Sequence, residues 1–354
     1  MDRRRAARAV FRLRDAAPEV AAGRRWSWRA SVGAATALIL ERPGLIAVAL
    51  AGFLARGGLL LFILPVVVLP TTVGISNWIG ATSITASGPT ESLVWLLAVI
   101  AAVALTAFLL GLVIGAAADV VLFDAARERV AWRNGGFAPG APKRDVSLIL
   151  RLITIRALTL VPVALAIAWA ANRVVAVTYH ELILPEELVT PLVLRVIIES
   201  RDALAVVALA WLASETLGGL AVRHHLHDGD STVVALLRPI GDVLLRPVTT
   251  GATFGLGIVV AVVAIAPPLT VAWLAWGRLR VALAVGDPVP LAFGTFAFVA
   301  LWLTALVGAG AVAAWRHVLW SFDVLRVRPA IAPVAPDLAL PSAALEPVGG
   351  RPAA

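Results

Sequence analysis

Long uninterrupted runs of apolar residues dominate the chain, without the two-residue alternation of a half-buried strand or the 3.6-residue stripe of a surface helix. Six of them, at about 43–70, 92–121, 157–178, 203–222, 250–276 and 290–315, are long enough to cross a bilayer. A hydrocarbon core of about 30 Å needs roughly 20 helical residues. The pattern predicts an all-α, polytopic transmembrane helix bundle of about six spans within residues 43–325. Pro65 in the first run and Pro267 and Pro268 in the fifth predict kinks there.

The flanks read differently. Residues 1–42 begin RRRAARAVFRLR and pass through Trp26 and Trp28 to the apolar stretch SVGAATALIL. Glu41-Arg42-Pro43 stands where a signal peptide would carry small residues for cleavage. The segment therefore predicts a basic interfacial helix feeding the first span. Residues 326–354 are rich in Pro and Ala with little periodicity, and are expected to be a disordered tail. Between the third and fourth runs, Arg195, Glu199 and Asp202 share one helical face after Pro191, which predicts a second interfacial amphipathic helix. It should run on into the fourth span.

Composition supports lipid as the solvent: 60% of the 354 residues are hydrophobic and only 15% charged, with a mean hydropathy of +0.91. Soluble domains carry about 25% charged residues. The net charge of +8 is almost wholly arginine, Lys143 being the only lysine. That skew points to a GC-rich bacterial genome. Ten basic residues precede the first run, seven lie between the second and third, three between the fourth and fifth, and four follow the sixth, 24 of the 30 in all. The opposite connections carry Arg195, Arg201, Arg278 and Arg280 beside the acids Glu91, Glu181, Glu186, Glu187, Glu199, Asp202 and Asp287. The positive-inside rule then predicts both termini in the cytoplasm and a multi-pass protein of the bacterial plasma membrane. A basic rim of this kind attracts anionic lipid headgroups and displaces nucleic acid as the expected partner. A membrane-protein partner or a second copy is the other expectation.

Candidate chemistry is sparse. The chain contains no cysteine, which closes disulfides, thiolate metal sites and cysteine nucleophiles. Phosphate-loop, nucleophile-elbow and dinucleotide motifs are absent from the sequence. His180-Glu181-Leu182-Ile183-Leu184 has leucine where a zinc-protease helix needs its second histidine. No catalytic residue and no cofactor is therefore expected. The run Arg223-His224-His225-Leu226-His227-Asp228-Gly229-Asp230 offers His224, His225, His227, Asp228 and Asp230 as conceivable metal ligands. With no second ligand segment, the expectation is a solvated loop turning at Asp228 and Gly229.

Polar residues inside the runs are more informative, because a charge in lipid usually faces the protein interior or a cavity. Arg56 lies midway in the first run, Glu215 in the inner half of the fourth, and Asn172 and Arg173 late in the third. Arg56 and Glu215 are candidates either for a direct pair or for lining a polar path. Arg173 is close enough to the outer surface to reach headgroups. Gly111 with Gly115, and Gly251 with Gly255, form G-x-x-x-G pairs that predict close helix packing within the bundle.

The second, fourth and sixth runs end alike, in GAAADVVLFDAARERV, GGLAVRHHLHDGD and GAGAVAAWRHVLWSFDVLRVR, and STVVALLRPIGDVLLRPVTT follows the fourth. This layout resembles uncharacterised bacterial six-span membrane proteins related to the glycerophosphoryl diester phosphodiesterase membrane domain. The resemblance covers most of residues 40–325 and implies architecture alone, since that domain brings no catalytic residues to transfer. The expected function is a non-enzymatic accessory or scaffold component in envelope or lipid handling. The alternative is a small transporter or channel with a polar path lined by Arg56 and Glu215. A water-filled cavity meeting both charges would favour transport, and a solid bundle with paired charges the scaffold.

Overall fold

The computed structural model describes residues 27–63, 66, 84–85, 88–133, 145–184 and 192–327. Helix α1 spans Trp28–Glu41, and a turn at Arg42 and Pro43 leads to α2 (Gly44–Phe53). A wide π-type turn, Leu54–Gly58, joins it to α3 (Leu59–Ile63). The long helices are α4 (Glu91–Arg133), α5 (Val146–Ile183), α7 (Arg201–Asp228), α9 (Pro247–Val285) and α10 (Pro288–Val327). Two short ones, α6 (Leu192–Glu199) and α8 (Thr232–Leu245), flank α7, and Ile84–Thr85 pairs antiparallel with Gly88–Pro89. Six stretches are long and apolar enough to cross a membrane: Gly44–Ile63, Glu91–Ala131, Val146–Glu181, Arg201–Asp228, Pro247–Val285 and Pro288–Leu325. The chain is an all-α, multi-pass membrane protein.

The helices outrun the apolar runs that announce them. The 43 residues of α4 extend about 65 Å at 1.5 Å per residue, well beyond a bilayer. The excess lies at the end where α1, α8 and most of the arginines sit, called the basic end below. There the molecule packs like a soluble protein. Leu122 and Phe123 of α4, Leu152 and Ile155 of α5, Val222 of α7 and Leu319 and Phe322 of α10 form one fully buried cluster. α1 covers it with Ser31, Ala35, Leu38 and Ile39, a stripe at helical spacing. Trp28 Nε1 donates to Thr253 Oγ1 at 2.9 Å, tying α1 to α9.

Towards the other end the helices separate. From Val94 to Leu110 the residues of α4 are exposed, Trp95 at 65% and Val103 at 64%. These are lipid-facing surfaces. Local contacts hold pairs together: Phe62 of α3 packs with Ile265, Ala305 and Ala309 of α9 and α10, and Arg195 of α6 pairs with the buried Glu181 of α5 at 2.9 Å.

Two local expectations change. The first apolar run breaks at Arg56-Gly57, where Gly57 has φ +101°, a left-handed conformation that glycine adopts without the steric cost of a Cβ. Helix α9 runs on through Pro267 and Pro268, where the sequence predicts a kink. The helix after Pro191 is not continuous with the fourth span, because Ser200 (φ −99°, ψ 14°) separates α6 from α7. Residues 1–26, Pro65 and the tail beyond 327 lie outside the described residues.

Candidate functional site

The polar residues inside the long helices converge on one layer at the top of the packed base. The turn at Arg56 and Gly57 places the Arg56 guanidinium against α4, where Nη2 donates to the Gly115 carbonyl at 2.7 Å and meets Asp119 Oδ2 at 3.0 Å. Glycine at 111 and 115 makes that approach feasible. A Cβ at Gly111 would lie 2.2 Å from the Ala55 carbonyl oxygen, and one at Gly115 only 2.5 Å from Arg56 Nε. The α4 pair is thus a seat for the turn that carries Arg56.

Asp119 is the hub. Its carboxylate, with a side chain only 2% exposed, meets Arg56, Arg156 Nη2 of α5 at 3.2 Å and His317 Nδ1 of α10 at 2.9 Å. Arg156 reaches on to Glu215 Oε2 of α7 at 3.6 Å, and Glu215 Oε1 accepts from Arg316 Nη2 of α10 at 2.7 Å. Arg223, one helical face further along α7, is 97% buried. It donates to the Gly219 carbonyl at 2.5 Å, the His317 carbonyl at 3.0 Å and Ser321 Oγ at 3.3 Å, and lies 3.1 Å from His317 Nδ1. The groups it hydrogen-bonds carry no negative charge. Arg223 and Arg316 lie over the Trp320 ring, 5.2 and 5.4 Å from its centroid, an attractive cation–π geometry.

Four arginines and two carboxylates therefore share one connected layer, an excess of at least two positive charges. The first four apolar stretches and the sixth contribute to it. Helix α9 closes a side with Gly257, where a Cβ would lie 3.3 Å from the Arg316 stem. Ser214 Oγ of α7 donates to the Thr159 carbonyl of α5 at 2.5 Å beside the same layer.

The depth of the layer follows from counting. From Ser92 to Ala118, just before Asp119, α4 has 27 residues without a charged side chain, and α10 has 28 from Pro288 to Trp315, just before Arg316. Each extends about 40 Å, against a hydrocarbon core of about 30 Å and about 40–45 Å with the headgroups. The layer thus closes the uncharged part of both helices on the basic side, and the length of that part matches a bilayer with its headgroups. Arg56 sits level with Asp119, which it contacts.

Other polar candidates lie elsewhere. Arg56 and Glu215 do not form an ion pair: Asp119 takes the one, Arg156 and Arg316 the other. Asn172 is exposed, and Arg173, half-exposed, lies 3.9 Å from Asp202 at the opposite end of the molecule. Neither belongs to the layer. Gly251 and Gly255 seat no helix, since a Cβ at either would meet nothing within 4 Å.

The histidine run is not a solvated loop. It forms the last turns of α7, where His224 and His225 are 2% and 3% exposed, because α8 folds back over it. His224 Nε2 is 2.6 Å from Asp242 Oδ2, and His225 Nδ1 is 2.5 Å from the Asp230 carbonyl. Asp228 and Asp230 both pair with Arg238, which leaves His227 beside them. Gly229, with φ +68°, ends α7 in the left-handed conformation that favours glycine. Among the described residues no cluster of three or more His, Cys, Asp or Glu side chains is arranged to hold a metal ion.

A narrow crevice beside the layer is lined by Thr216, Leu220, Thr253, Phe254, Trp320 and Asp323, with room for about one water molecule. No family model, curated protein or solved structure matches the chain.

Proposed function

We propose that the chain is a non-enzymatic accessory or scaffold component in envelope or lipid handling, embedded in a bacterial plasma membrane with both termini in the cytoplasm. The observation that carries this reading is how the interior charges are used. Arg56 and Glu215, the residues best suited to line a polar path, instead bond to Asp119, Arg156 and Arg316 and lock helices to one another. A rigid, soluble-like base bearing lipid-exposed helices suits holding and presenting more than conduction. The arginine distribution supports the orientation.

The natural absence of cysteine makes the test direct. Ala55→Cys and Ser214→Cys place single thiols at the level of the layer. In intact membranes a water-soluble maleimide should leave both unmodified from either side and label them after denaturation in dodecyl sulfate. Labelling of either thiol in the native protein from both sides would replace this reading with the transport alternative.

A further inference from the structure

We propose that the arginine layer is a binding site for the phosphate of an anionic lipid headgroup. The first ground is charge. Four guanidiniums face two carboxylates in a layer whose members are mostly buried, and an uncompensated buried charge is strongly unfavourable unless paired. A monoanionic or dianionic phosphate balances that excess. The second ground is unused bonding capacity. Arg156 Nε and Arg316 Nε are buried without a hydrogen-bond partner, and Arg223 is held by neutral acceptors and His317. Guanidiniums in this state match the fork geometry with which arginine takes phosphate oxygens.

Access and depth select the source. Arg56 and Arg316 each keep 20% of their side chains exposed, so the layer has an open edge. The layer closes uncharged stretches whose length matches a bilayer with its headgroups, and the helices above it separate into apolar, lipid-facing surfaces. A headgroup phosphate at the layer would leave its acyl chains against those surfaces. Free phosphate shares the recognition chemistry but has no use for the apolar walls.

This deepens the lipid-handling reading, and its failure is separable from failure of that reading. Thiol labelling tests for a water path, whereas the following test reads ligand binding alone. The full-length protein in a neutral maltoside micelle is titrated with dioctanoyl phosphatidylglycerol, dioctanoyl phosphatidylcholine or sodium phosphate, and tryptophan fluorescence is followed, since Trp320 contacts two of the arginines. Saturable binding of phosphatidylglycerol at least ten-fold tighter than of phosphatidylcholine supports the proposal. Arg316→Gln and Arg56→Gln should each weaken it by ten-fold or more, and Arg173→Gln, remote from the layer, should not. Should either layer variant fail to fold, Glu215→Gln provides the opposite test: it raises the positive excess and should tighten binding several-fold. Saturable binding of inorganic phosphate without phosphatidylglycerol binding overturns the lipid assignment. Absence of saturable binding, or equal binding by parent, Arg56→Gln and Glu215→Gln, overturns the site.

Discussion

Replacing Asp119 with asparagine keeps the volume of the hub side chain and removes its charge. Asp119 is 2% exposed and touches Arg56, Arg156 and His317 at 3.0, 3.2 and 2.9 Å. One carboxylate thus holds α4 to the Arg56 turn, to α5 and to α10. Removing one partner of a buried ion pair costs about 3–5 kcal/mol, chiefly because the other charge is left unpaired. Here Arg56 loses its carboxylate while Arg156 keeps only Glu215, at 3.6 Å, which places the expected loss within that range. At ~2–4 °C per kcal/mol for chains of a few hundred residues, the midpoint should fall by roughly 10–15 °C. Thermal unfolding in maltoside, followed by intrinsic tryptophan fluorescence, reads this directly, with Asp202→Asn as the control. That carboxylate is half-exposed and 3.9 Å from Arg173, and such surface pairs contribute about 0–1 kcal/mol. Arg56→Gln combined with Asp119→Asn should cost less than the sum of the single changes, whereas Arg56→Gln and Glu215→Gln should combine more nearly additively. A midpoint for Asp119→Asn within 2 °C of the control would refute the assignment of Asp119 as the hub.

Gly111→Ala forces a Cβ to 2.2 Å from the Ala55 carbonyl and should destabilise by about 1–3 kcal/mol, while Gly251→Ala meets open space and should be neutral or slightly stabilising in the same melt. Asp145 caps α5 by accepting from the Leu148 amide at 2.9 Å, and that bond, with one from Ser147, holds its carboxyl below the ordinary value of 3.8. A folded-state value below the unfolded one stabilises above the unfolded value and fades as pH falls through the folded value. The stability gap between parent and Asp145→Ala, measured from pH 7 to pH 3, should therefore narrow at the acid end. Single cysteines at Asp145 and Ser231 should react with an impermeant thiol reagent only after cell lysis, and those at Thr90 and Asp287 in intact cells. The reverse pattern would invert the orientation.

The number and order of the membrane helices were legible because lipid removes ambiguity: a backbone in hydrocarbon must be helical unless a barrel closes, so length and apolarity alone locate the spans. What hydropathy could not show was that the helices continue. Past Asp119 the sequence of α4 keeps apolar residues at Leu122, Phe123 and Ala126, and past Arg316 that of α10 keeps Val318, Leu319 and Phe322, all fully buried. A window average reads those segments as charged loops, since arginines and acids occupy the other face. Only helical register, apolar at three- and four-residue spacing without an intervening glycine or proline, distinguishes an amphipathic extension from a connection.

That blind spot also determined which site residues were visible. Arg56 and Glu215 stood out because each interrupts a run, and they do belong to the layer. Asp119 lies in the last turn of its run, and Arg156, Arg223, Arg316 and His317 just beyond the ends of theirs, where a charge looks like an ordinary flank. Their shared level was nonetheless encoded in length: the uncharged stretches before Asp119 and before Arg316 differ by one residue, 27 against 28. Helices with matched uncharged lengths that start at one membrane face carry their first charges to a common depth at the other. Whether those charges meet depends on lateral order, which no single helix specifies. Here it is set by close contact at Gly111 and Gly115, by the left-handed turn at Gly57 that aims Arg56 inward, and by the bond from Ser214 to the Thr159 carbonyl that aligns α5 with α7. The charged layer is thus a consequence of helix packing, and a substitution that separates α4 from the Arg56 turn, Gly111→Leu for example, should open the layer while leaving every one of its charges in place.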